Sequence, residues 1–267
     1  MDSYDLSGRK ALVTGGARGL GAGMAEALAR AGAAVAIGDV RDDLGKATVE
    51  RIQASGATAE FISLDVTDEA TWERAVADTI DALGGFDILV NNAGIEITSL
   101  IADVDPAEAR RMLEVNILGT LLGIKHAFRA MRPGGAAGNG GAIVNVASVA
   151  ATIAWPAIAV YSATKSAVDR LTRVAAVEAG KLGYGVRVNC VYPGLVPTEM
   201  GAQLAKDVAD VGLFASPEAA VQSVVEQTPL GRLGDVSDIA EAVVFLVSDA
   251  SRFVTGAGLP VDGGMGT

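Results

Sequence analysis

The chain has 267 residues, of which 50% are hydrophobic, 4% aromatic and 20% charged, with 32 acidic and 21 basic side chains. The formal net charge of -11 disfavours nucleic acid and anionic membrane surfaces as partners, because both carry charge of the same sign. A single cysteine, Cys190, and a single histidine, His126, exclude a disulfide within the chain and a structural zinc site.

The sequence predicts neither a membrane span nor a signal peptide. No apolar run reaches the roughly 20 residues that a spanning helix needs. The stretch from Met1 to Asp5 has neither the basic start nor the apolar segment of a signal peptide. Together with the single Cys190, this predicts a protein of a reducing compartment, the cytoplasm.

Short apolar runs alternate with stretches of helical periodicity along the chain. The runs predict strands at 10–14, 33–38, 57–64, 86–90, 142–147, 186–191 and 259–261. The periodic stretches predict helices at about 20–31, 42–55, 68–83, 106–131, 160–181 and 235–248. Strands that are apolar on both faces and separated by helices are typical of a parallel sheet covered on both sides, so we predict one α/β domain over residues 1–267.

Two segments interrupt this alternation. The glycine-rich segment 133–141 predicts a flexible connection, and the strands continue across it without a domain boundary. The segment from about 195 to 231 is long and of mixed polarity, and it lies between a strand and a helix. Such a position favours a substrate lid or a binding loop.

A glycine-rich turn containing Gly15, Gly19 and Gly21 joins the first predicted strand to the first helix. Glycines permit a tight turn there and let backbone N–H groups approach a diphosphate at the helix N-terminus. No Gly-Lys-Ser/Thr follows, which argues against a nucleoside-triphosphate site, while an ordinary turn remains an alternative. Asp39 ends the second strand, where a carboxylate can accept hydrogen bonds from ribose hydroxyls.

The carboxylate of Asp39 also bears on the choice of dinucleotide. It would repel a 2′-phosphate and therefore favours NAD over NADP. Arg18 and Arg41 keep NADP open as an alternative, because either guanidinium could pair with that phosphate. Asp39 could instead cap a helix that starts near Asp42.

Tyr161 and Lys165 are four residues apart in a predicted helix, so their side chains lie on one face. An ammonium group at about 4 Å, in an effective dielectric of about 20, supplies the roughly 4 kcal/mol that lowers the pKa of tyrosine from about 10 to about 7. With a positively charged nicotinamide ring beside it, this predicts Tyr161 as a base, although an isolated Tyr-x-x-x-Lys is common by chance.

Two more polar residues lie where a ligand crevice is expected. Ser148 ends the fifth strand, and its hydroxyl can donate to a substrate oxygen. Asn116 lies between apolar neighbours in the fourth predicted helix, so its amide either satisfies nearby backbone or holds a water near the site.

In this order the pieces resemble the short-chain dehydrogenase/reductase family over residues 14–264. The resemblance rests on the Thr-Gly-x-x-x-Gly-x-Gly turn at 14–21, Asp65-Val66, Asn91-Asn92-Ala93-Gly94, Asn116, Ser148, Tyr161 with Lys165, and Pro193-Gly194. It implies a doubly wound Rossmann domain whose seven parallel strands have the order 3-2-1-4-5-6-7. It also implies a homotetramer, held by the helices at 106–131 and 160–181 and by the C-terminal segment.

The resemblance further implies a role for each site residue, and no metal. A catalytic tetrad would interconvert a secondary alcohol and a ketone by hydride transfer to or from a nicotinamide. Tyr161 would take the alcohol proton while Ser148 orients the substrate oxygen. Lys165 would stabilise the phenolate and bind the nicotinamide ribose, and Asn116 would hold a water linking Lys165 to solvent. The residues expected to contact NAD are Gly15, Arg18, Gly19, Leu20, Gly21, Asp39, Val40, Asp65, Val66, Asn92, Ala93, Gly94, Tyr161, Lys165, Pro193, Gly194, Val196 and Thr198.

The substrate is predicted from the residues around this tetrad. The candidate pocket residues are Ile95, Glu96, Ala150, Trp155, Val191 and the lid from Leu195 to Phe214. The lid has one basic residue, Lys206, among several acidic ones, which disfavours phosphorylated and carrier-linked substrates. We therefore expect an uncharged cyclic or steroid-like alcohol. The alternatives are a 3-oxoacyl-carrier-protein reductase and a sugar alcohol dehydrogenase, and Trp155 is either a platform for a flat ring or a core or interface aromatic.

Two functions of other classes are weighed against this. A hydrolase would need Ser148 and His126 in a triad, but Ser148 has no Gly-x-Ser-x-Gly elbow, and His126 is expected at solvent or at an interface. A non-catalytic NAD-binding module would have no use for a complete Asn–Ser–Tyr–Lys set.

Overall fold

The computed structural model describes residues 3–267; Met1 and Asp2, which begin the stretch predicted to lack a signal peptide, lie outside the described residues. The described chain contains one sheet of seven parallel strands in the order β3-β2-β1-β4-β5-β6-β7. The strands are β1 (Lys10–Thr14), β2 (Ala34–Asp39), β3 (Ala59–Ser63), β4 (Ile88–Asn91), β5 (Gly141–Val146), β6 (Val186–Pro193) and β7 (Gly258–Val261). The predicted fold class and strand order are confirmed, and each predicted strand end is within about two residues of the observed one.

Nine α-helices accompany the sheet within residues 3–267. They are α1 (Gly19–Arg30), α2 (Asp42–Ala54), α3 (Glu69–Leu83), α4 (Pro106–Leu113), α5 (Gly119–Met131), α6 (Ala159–Lys181), α7 (Glu199–Asp210), α8 (Pro217–Gln227) and α9 (Val236–Val247). Neighbouring residues of β1 face opposite layers: Val13 packs among residues of α1, α2 and α9, and Leu12 among residues of α3, α5 and α6. Both layers exclude water from the strands, which explains the uninterrupted apolar runs in the sequence.

The predicted single helix at 106–131 is wrong in one respect. It is divided into α4 and α5 by a π-helical turn, Glu114–Leu118, which contains Asn116. The hydrophobic spacing continues through such a turn because the helix axis is not broken, so periodicity alone does not reveal it.

The segment 195–231 is more regular than a loop. It contains α7 and α8, whose N-termini are capped by the side chains of Thr198 and Ser216. The segment 133–141, by contrast, is irregular until β5 begins at Gly141, as predicted, and Gly134, Gly138 and Gly140 adopt positive φ there.

The sheet has one edge at which the carboxyl ends of its strands meet. β1, β2, β4, β5 and β6 lead at that edge into the glycine turn, Asp39, Asn92, Ser148 and Gly194, respectively. In an open parallel sheet this is the edge at which ligands bind. None of the helices in the described part of the chain has the length and hydropathy needed to cross a membrane.

Candidate active site

A cleft of about 810 Å³ lies at this edge of the sheet. All the residues predicted to contact the cofactor line it, and so does Ser148. The structure therefore brings together the glycine turn, the ends of five strands and the first turns of α6 and α7.

The glycine turn has the form that a diphosphate requires. Gly19, Leu20 and Gly21 line the cleft, and no side chain caps the N-terminus of α1, so the N–H groups of this turn are available to a ligand. A Cβ on Gly21 would lie 2.1 Å from the carbonyl oxygen of Gly15, and a Cβ on Gly15 would lie 2.8 Å from Cα of Ala93. Only glycine permits this close approach, and the resulting cradle fits the diphosphate of a dinucleotide.

Asp39 lines the cleft next to this turn, and its carboxylate is held by backbone. One oxygen accepts a hydrogen bond from the N–H of Ala17 (3.0 Å), and the other accepts from the N–H of Arg41 (3.0 Å). No side chain caps the N-terminus of α2, so the alternative that Asp39 caps this helix is wrong. Arg18 forms an ion pair with Glu199 at the start of α7, while Arg41 is exposed at the cleft.

Tyr161 and Lys165 converge at the cleft from the first turns of α6. The Lys165 Nζ atom lies 5.6 Å from the centre of the Tyr161 ring and donates a hydrogen bond to the carbonyl oxygen of Val146 (2.8 Å), at the end of β5. The ammonium group is buried, and this bond to β5 fixes it beside the phenol.

The net effect of the protein is to raise the pKa of Tyr161, so the prediction that Lys165 by itself brings this pKa down to about 7 is wrong. Burial raises the pKa of Tyr161 to about 12, hydrogen bonding to Ser148 lowers it in part, and the charge of Glu96 raises it further. Burial also lowers the pKa of Lys165 to about 8. Loss of hydration opposes charge on both groups, and this cost is not offset by Coulomb attraction between them.

Ser148 begins a short 3₁₀ turn directly after β5. Its Oγ atom accepts a hydrogen bond from the N–H of Ala150 (3.1 Å), and the residue lines the cleft together with Tyr161. This backbone bond uses only a lone pair of the serine, so the hydroxyl hydrogen can be donated either to the Tyr161 oxygen or to a ligand oxygen.

Asn116 is the one tetrad residue that does not line the cleft. Its buried amide accepts a hydrogen bond from the N–H of Ile95 (2.9 Å) and donates to the carbonyl oxygen of Ile95 (2.9 Å) and to Oγ1 of Thr164 (3.0 Å). The two alternatives for the Asn116 amide are hydrogen bonding to nearby backbone and holding a water, and these contacts correspond to the first. Asn116 therefore joins the loop after β4 to α6, one residue before Lys165.

The sequence comparisons agree with this geometry. A family profile described as "Enoyl-(Acyl carrier protein) reductase" matches residues 15–266. The trans-4-hydroxycyclohexanecarboxylate dehydrogenase of Sinomonas cyclohexanicum is 39% identical over 260 residues, which cover 95% of this chain and 91% of that protein. The 3-alpha-(or 20-beta)-hydroxysteroid dehydrogenase of Mycobacterium tuberculosis is 38% identical over 259 residues, covering 97% of this chain and 90% of that protein.

A solved structure is equally similar. A gluconate 5-dehydrogenase from Burkholderia cenocepacia, in complex with NADP and tartrate, has a TM-score of 0.88 and 34% identity, covering 99% of this chain and 97% of that one. The chain belongs to the short-chain dehydrogenase/reductase family. It is an oxidoreductase that uses a nicotinamide cofactor to interconvert a secondary alcohol and a ketone, and the predicted reaction class is thereby confirmed.

His126 does not lie at solvent, so the first of the two positions expected for it, solvent or an interface, is wrong. The side chain is 5% exposed and stacks on Trp72, with ring centres 6.5 Å apart, and Nε2 lies 3.4 Å from a Glu69 carboxylate oxygen. His126 does not line the cleft that contains Ser148. The structure therefore gives the hydrolase alternative no triad.

The predicted substrate residues are mostly found at the cleft. Ile95, Glu96, Ala150 and Trp155 line it. Val191 does not, because it is fully buried within β6, and its assignment to the pocket is wrong. Trp155 is half-buried and lines the cleft, so it is not a core aromatic.

Only part of the predicted lid reaches the cleft, and other residues were missed. From residues 195–231 the lining includes Leu195, Val196, Thr198, Glu199, Met200, Gly201, Leu204 and Val224. The lining residues that sequence reasoning missed include Leu64, Arg111, Val115, Ile158 and Met265. Helical spacing within the lid could have indicated Leu204 one turn after Met200, whereas no motif marks Met265 near the end of the chain.

Proposed function

We propose that this short-chain dehydrogenase/reductase oxidises an uncharged cyclic secondary alcohol with NAD, or reduces the corresponding ketone. The observation that carries the proposal is that Tyr161, Ser148 and Lys165 meet in a cleft whose walls include Trp155 and Met200. An apolar wall beside a single proton-transfer site suits a ring with one reacting oxygen. Two relatives are named for hydroxylated ring compounds, which supports a cyclic secondary alcohol as the substrate. The substrate in the name of the Sinomonas enzyme carries a carboxylate, so that the substrate is uncharged rests on the cleft of this chain alone.

In this proposal the tetrad residues divide the work of proton transfer. Ser148 donates a hydrogen bond to the substrate oxygen and orients it toward Tyr161. Lys165 stabilises the negative charge of the Tyr161 phenolate, which takes the hydroxyl proton and thereby becomes neutral. Asn116 positions the loop after β4 and, through Thr164, the turn of α6 that carries Lys165. The nicotinamide ring supplies the hydride acceptor and, when oxidised, a positive charge.

The pKa values define what the cleft must provide. Burial raises the pKa of Tyr161 and so disfavours the phenolate, whereas a further positive charge near the ring would favour it. Lys165 loses its own charge as the pH rises above its pKa of about 8, which weakens the stabilisation of the phenolate. We therefore infer that alcohol oxidation requires the positively charged, oxidised cofactor as part of the base.

Asp39 supports NAD rather than NADP. Its carboxylate lies at the end of β2, where a 2′-phosphate would meet a like charge. The opposing observation is that Arg41 is exposed at the same cleft and that a similar structure was solved with NADP. Comparison of kcat/KM for the two dinucleotides tests the preference directly.

The acidic lid argues against a carrier-linked substrate. Glu199, Asp207 and Asp210 outnumber the single Lys206 there, and Arg18 is already paired with Glu199. The test is a screen by NADH absorbance with cyclohexanol, a hydroxysteroid, a sugar alcohol and a 3-oxoacyl thioester. Turnover of the thioester alone would replace the proposal by the carrier reductase alternative.

We also propose a homotetramer of single-domain subunits in a reducing compartment. Apolar side chains of the α4–α5 region and of α6 are exposed, and so is Phe253 before β7; the helical ones include Leu113, Leu118, Leu121, Val174 and Val177. Exposed apolar surface of this kind favours association. The buried thiol of Cys190, whose pKa is raised to about 11 by burial, is kept protonated and unreactive. Light scattering of the purified protein tests the oligomer, and a monomeric mass would contradict it.

A further inference from the structure

Glu96 is a carboxyl group inside the cleft that the proton-transfer scheme does not use. It follows Ile95 in the loop after β4 and lines the cleft together with Tyr161 and Trp155. Its Oε1 atom accepts a hydrogen bond from Oγ1 of Thr98 (3.0 Å). The other oxygen, Oε2, makes no hydrogen bond within residues 3–267, so it is open to a ligand.

The loop that carries Glu96 is held in place from two sides. The amide of Asn116 bonds both backbone groups of Ile95, as described above. On the other side of Glu96, the N–H of Ser99 donates to the carbonyl oxygen of Ala157 (2.8 Å), and Ser99 forms a parallel bridge with Ile158. Ala157 has a φ of 65°, a conformation that non-glycine residues adopt only when their surroundings impose it. The Glu96 carboxyl group is therefore presented by a rigid frame.

The charges around Glu96 do not compensate it. No basic side chain within residues 3–267 forms an ion pair with it, and Asp207 of α7 adds a like charge. Burial, with this repulsion, raises the pKa of Glu96 to about 7. The other titratable groups of α4, α6 and α7 that line the cleft are Arg111, Tyr161, Lys165 and Glu199. The charge of Glu96 opposes ionisation of Tyr161. A carboxyl group that is costly to ionise here favours an uncharged polar partner.

We propose that Glu96 is a specificity-determining residue, whose carboxyl group hydrogen-bonds a second, uncharged oxygen of the substrate and excludes a carboxylate from that place. The inference rests on the proposed function, since it names the substrate of the same cleft. A hydroxyl can donate to the ionised carboxylate and can also accept from the protonated acid. A substrate carboxylate can accept a hydrogen bond only from the protonated form of Glu96 and is repelled by the ionised form.

The test uses three substrates with the complete enzyme and NAD at pH 8: cyclohexanol, cyclohexane-1,4-diol and trans-4-hydroxycyclohexanecarboxylate. Glu96→Ala removes the hydrogen-bonding group, so we expect kcat/KM for the diol to fall about tenfold, while that for cyclohexanol stays within about threefold. Glu96→Gln removes only the charge, so we expect kcat/KM for the carboxylate to rise about tenfold, with the diol nearly unchanged.

Controls separate recognition from structure. Glu60→Gln makes the same replacement on an exposed position of β3 and is expected to leave all three substrates unchanged. A parallel fall for all three substrates in the Glu96 variants would show that Glu96 only supports the loop, and a parallel rise would show that it acts only through the pKa of Tyr161. Either result would overturn the inference.

A binding measurement keeps the inference testable if no alcohol is oxidised. Trp155 lines the cleft, so its fluorescence can report binding of the diol and of cyclohexanol in the presence of NADH. Failure of turnover by the unmodified enzyme would contradict the proposed function alone. Equal dissociation constants of the diol for the unmodified enzyme and Glu96→Ala, or no binding of the diol by either, would overturn the role of Glu96.

Discussion

The two halves of the cleft are built from different parts of the chain. The half that we propose to bind the cofactor, the cofactor half, consists of backbone and short side chains at the ends of β1, β2 and β4, including Gly15, Gly19, Gly21, Asp39 and Asn92. The half that we propose to bind the substrate, the substrate half, consists of larger side chains from separate segments, including Glu96, Trp155, Met200, Leu204 and Met265. A surface made of backbone admits a ligand only by leaving side chains out. A surface made of side chains can instead change its ligand through single replacements. We therefore expect the cofactor half to tolerate few replacements and the substrate half to determine which substrate is accepted.

The largest expected effect is at Tyr161, where the two halves meet. Tyr161→Phe removes the proton acceptor and keeps the ring, so we expect kcat to fall by about 10² or more with NADH affinity within about threefold. Steady-state turnover and NADH fluorescence titration measure the two quantities. Tyr184→Phe is the matched control, since that ring packs edge-on against Phe128 outside the cleft. Activity above about a tenth of the original in Tyr161→Phe would mean that another group is the base.

The next largest effect is expected in the cofactor half, at Gly21. In Gly21→Ala the new Cβ would lie 2.1 Å from the carbonyl oxygen of Gly15, so the turn must shift. We expect a loss of about 1–3 kcal/mol in unfolding free energy and weaker NADH binding. Denaturant unfolding and NADH titration measure these changes.

Gly180→Ala is the control for that substitution, because it adds the same methyl group in α6, where nothing lies within 4 Å. Alanine favours helix by about 1 kcal/mol, so this variant should be equally or more stable. If Gly21→Ala bound NADH normally, the cofactor half would not depend on bare backbone.

The sequence predicted the cofactor half more completely than the substrate half, and the reason is physical. Glycines and a carboxylate at strand ends are close to one another along the chain, and their spacing follows from the turn they make. Met265 and Val224 come from distant segments, and only the folded chain brings them to the cleft. The pKa of Tyr161 depends on burial, which is a property of the whole fold and which no local spacing contains.

A smaller effect concerns selection of the dinucleotide. Asp39→Asn removes the negative charge but keeps an oxygen that can accept from a backbone N–H, as Asp39 does from Ala17. We expect the ratio of kcat/KM for NADP to that for NAD to rise about tenfold. The same replacement at exposed Asp42 should leave the ratio unchanged. An unaltered ratio in Asp39→Asn would show that the charge of this residue does not set the preference.

The smallest effect lies outside both halves, at His126. Burial lowers the pKa of His126 in the folded protein, whereas the unfolded chain has the ordinary value of about 6.5. The unfolded state therefore binds more protons below about pH 6.5, and the free energy of unfolding decreases as the pH falls through that range. In His126→Gln this contribution is absent, so we expect the difference in Tm between pH 7.5 and about pH 5.5 to become smaller.

Glu69 complicates the measurement at His126, because its pKa is also lowered, mainly by hydrogen bonding to Lys125, and it too loses stabilisation in acid. That carboxylate titrates at lower pH than an imidazole, so the comparison is made above about pH 5. Kinetic constants measured at pH 7.5 should not change, since His126 lies against Trp72 and away from the cleft. An equal Tm difference in both proteins would mean that His126 is not a source of acid sensitivity. A changed KM for NAD would mean that the α3–α5 layer is coupled to the cofactor half.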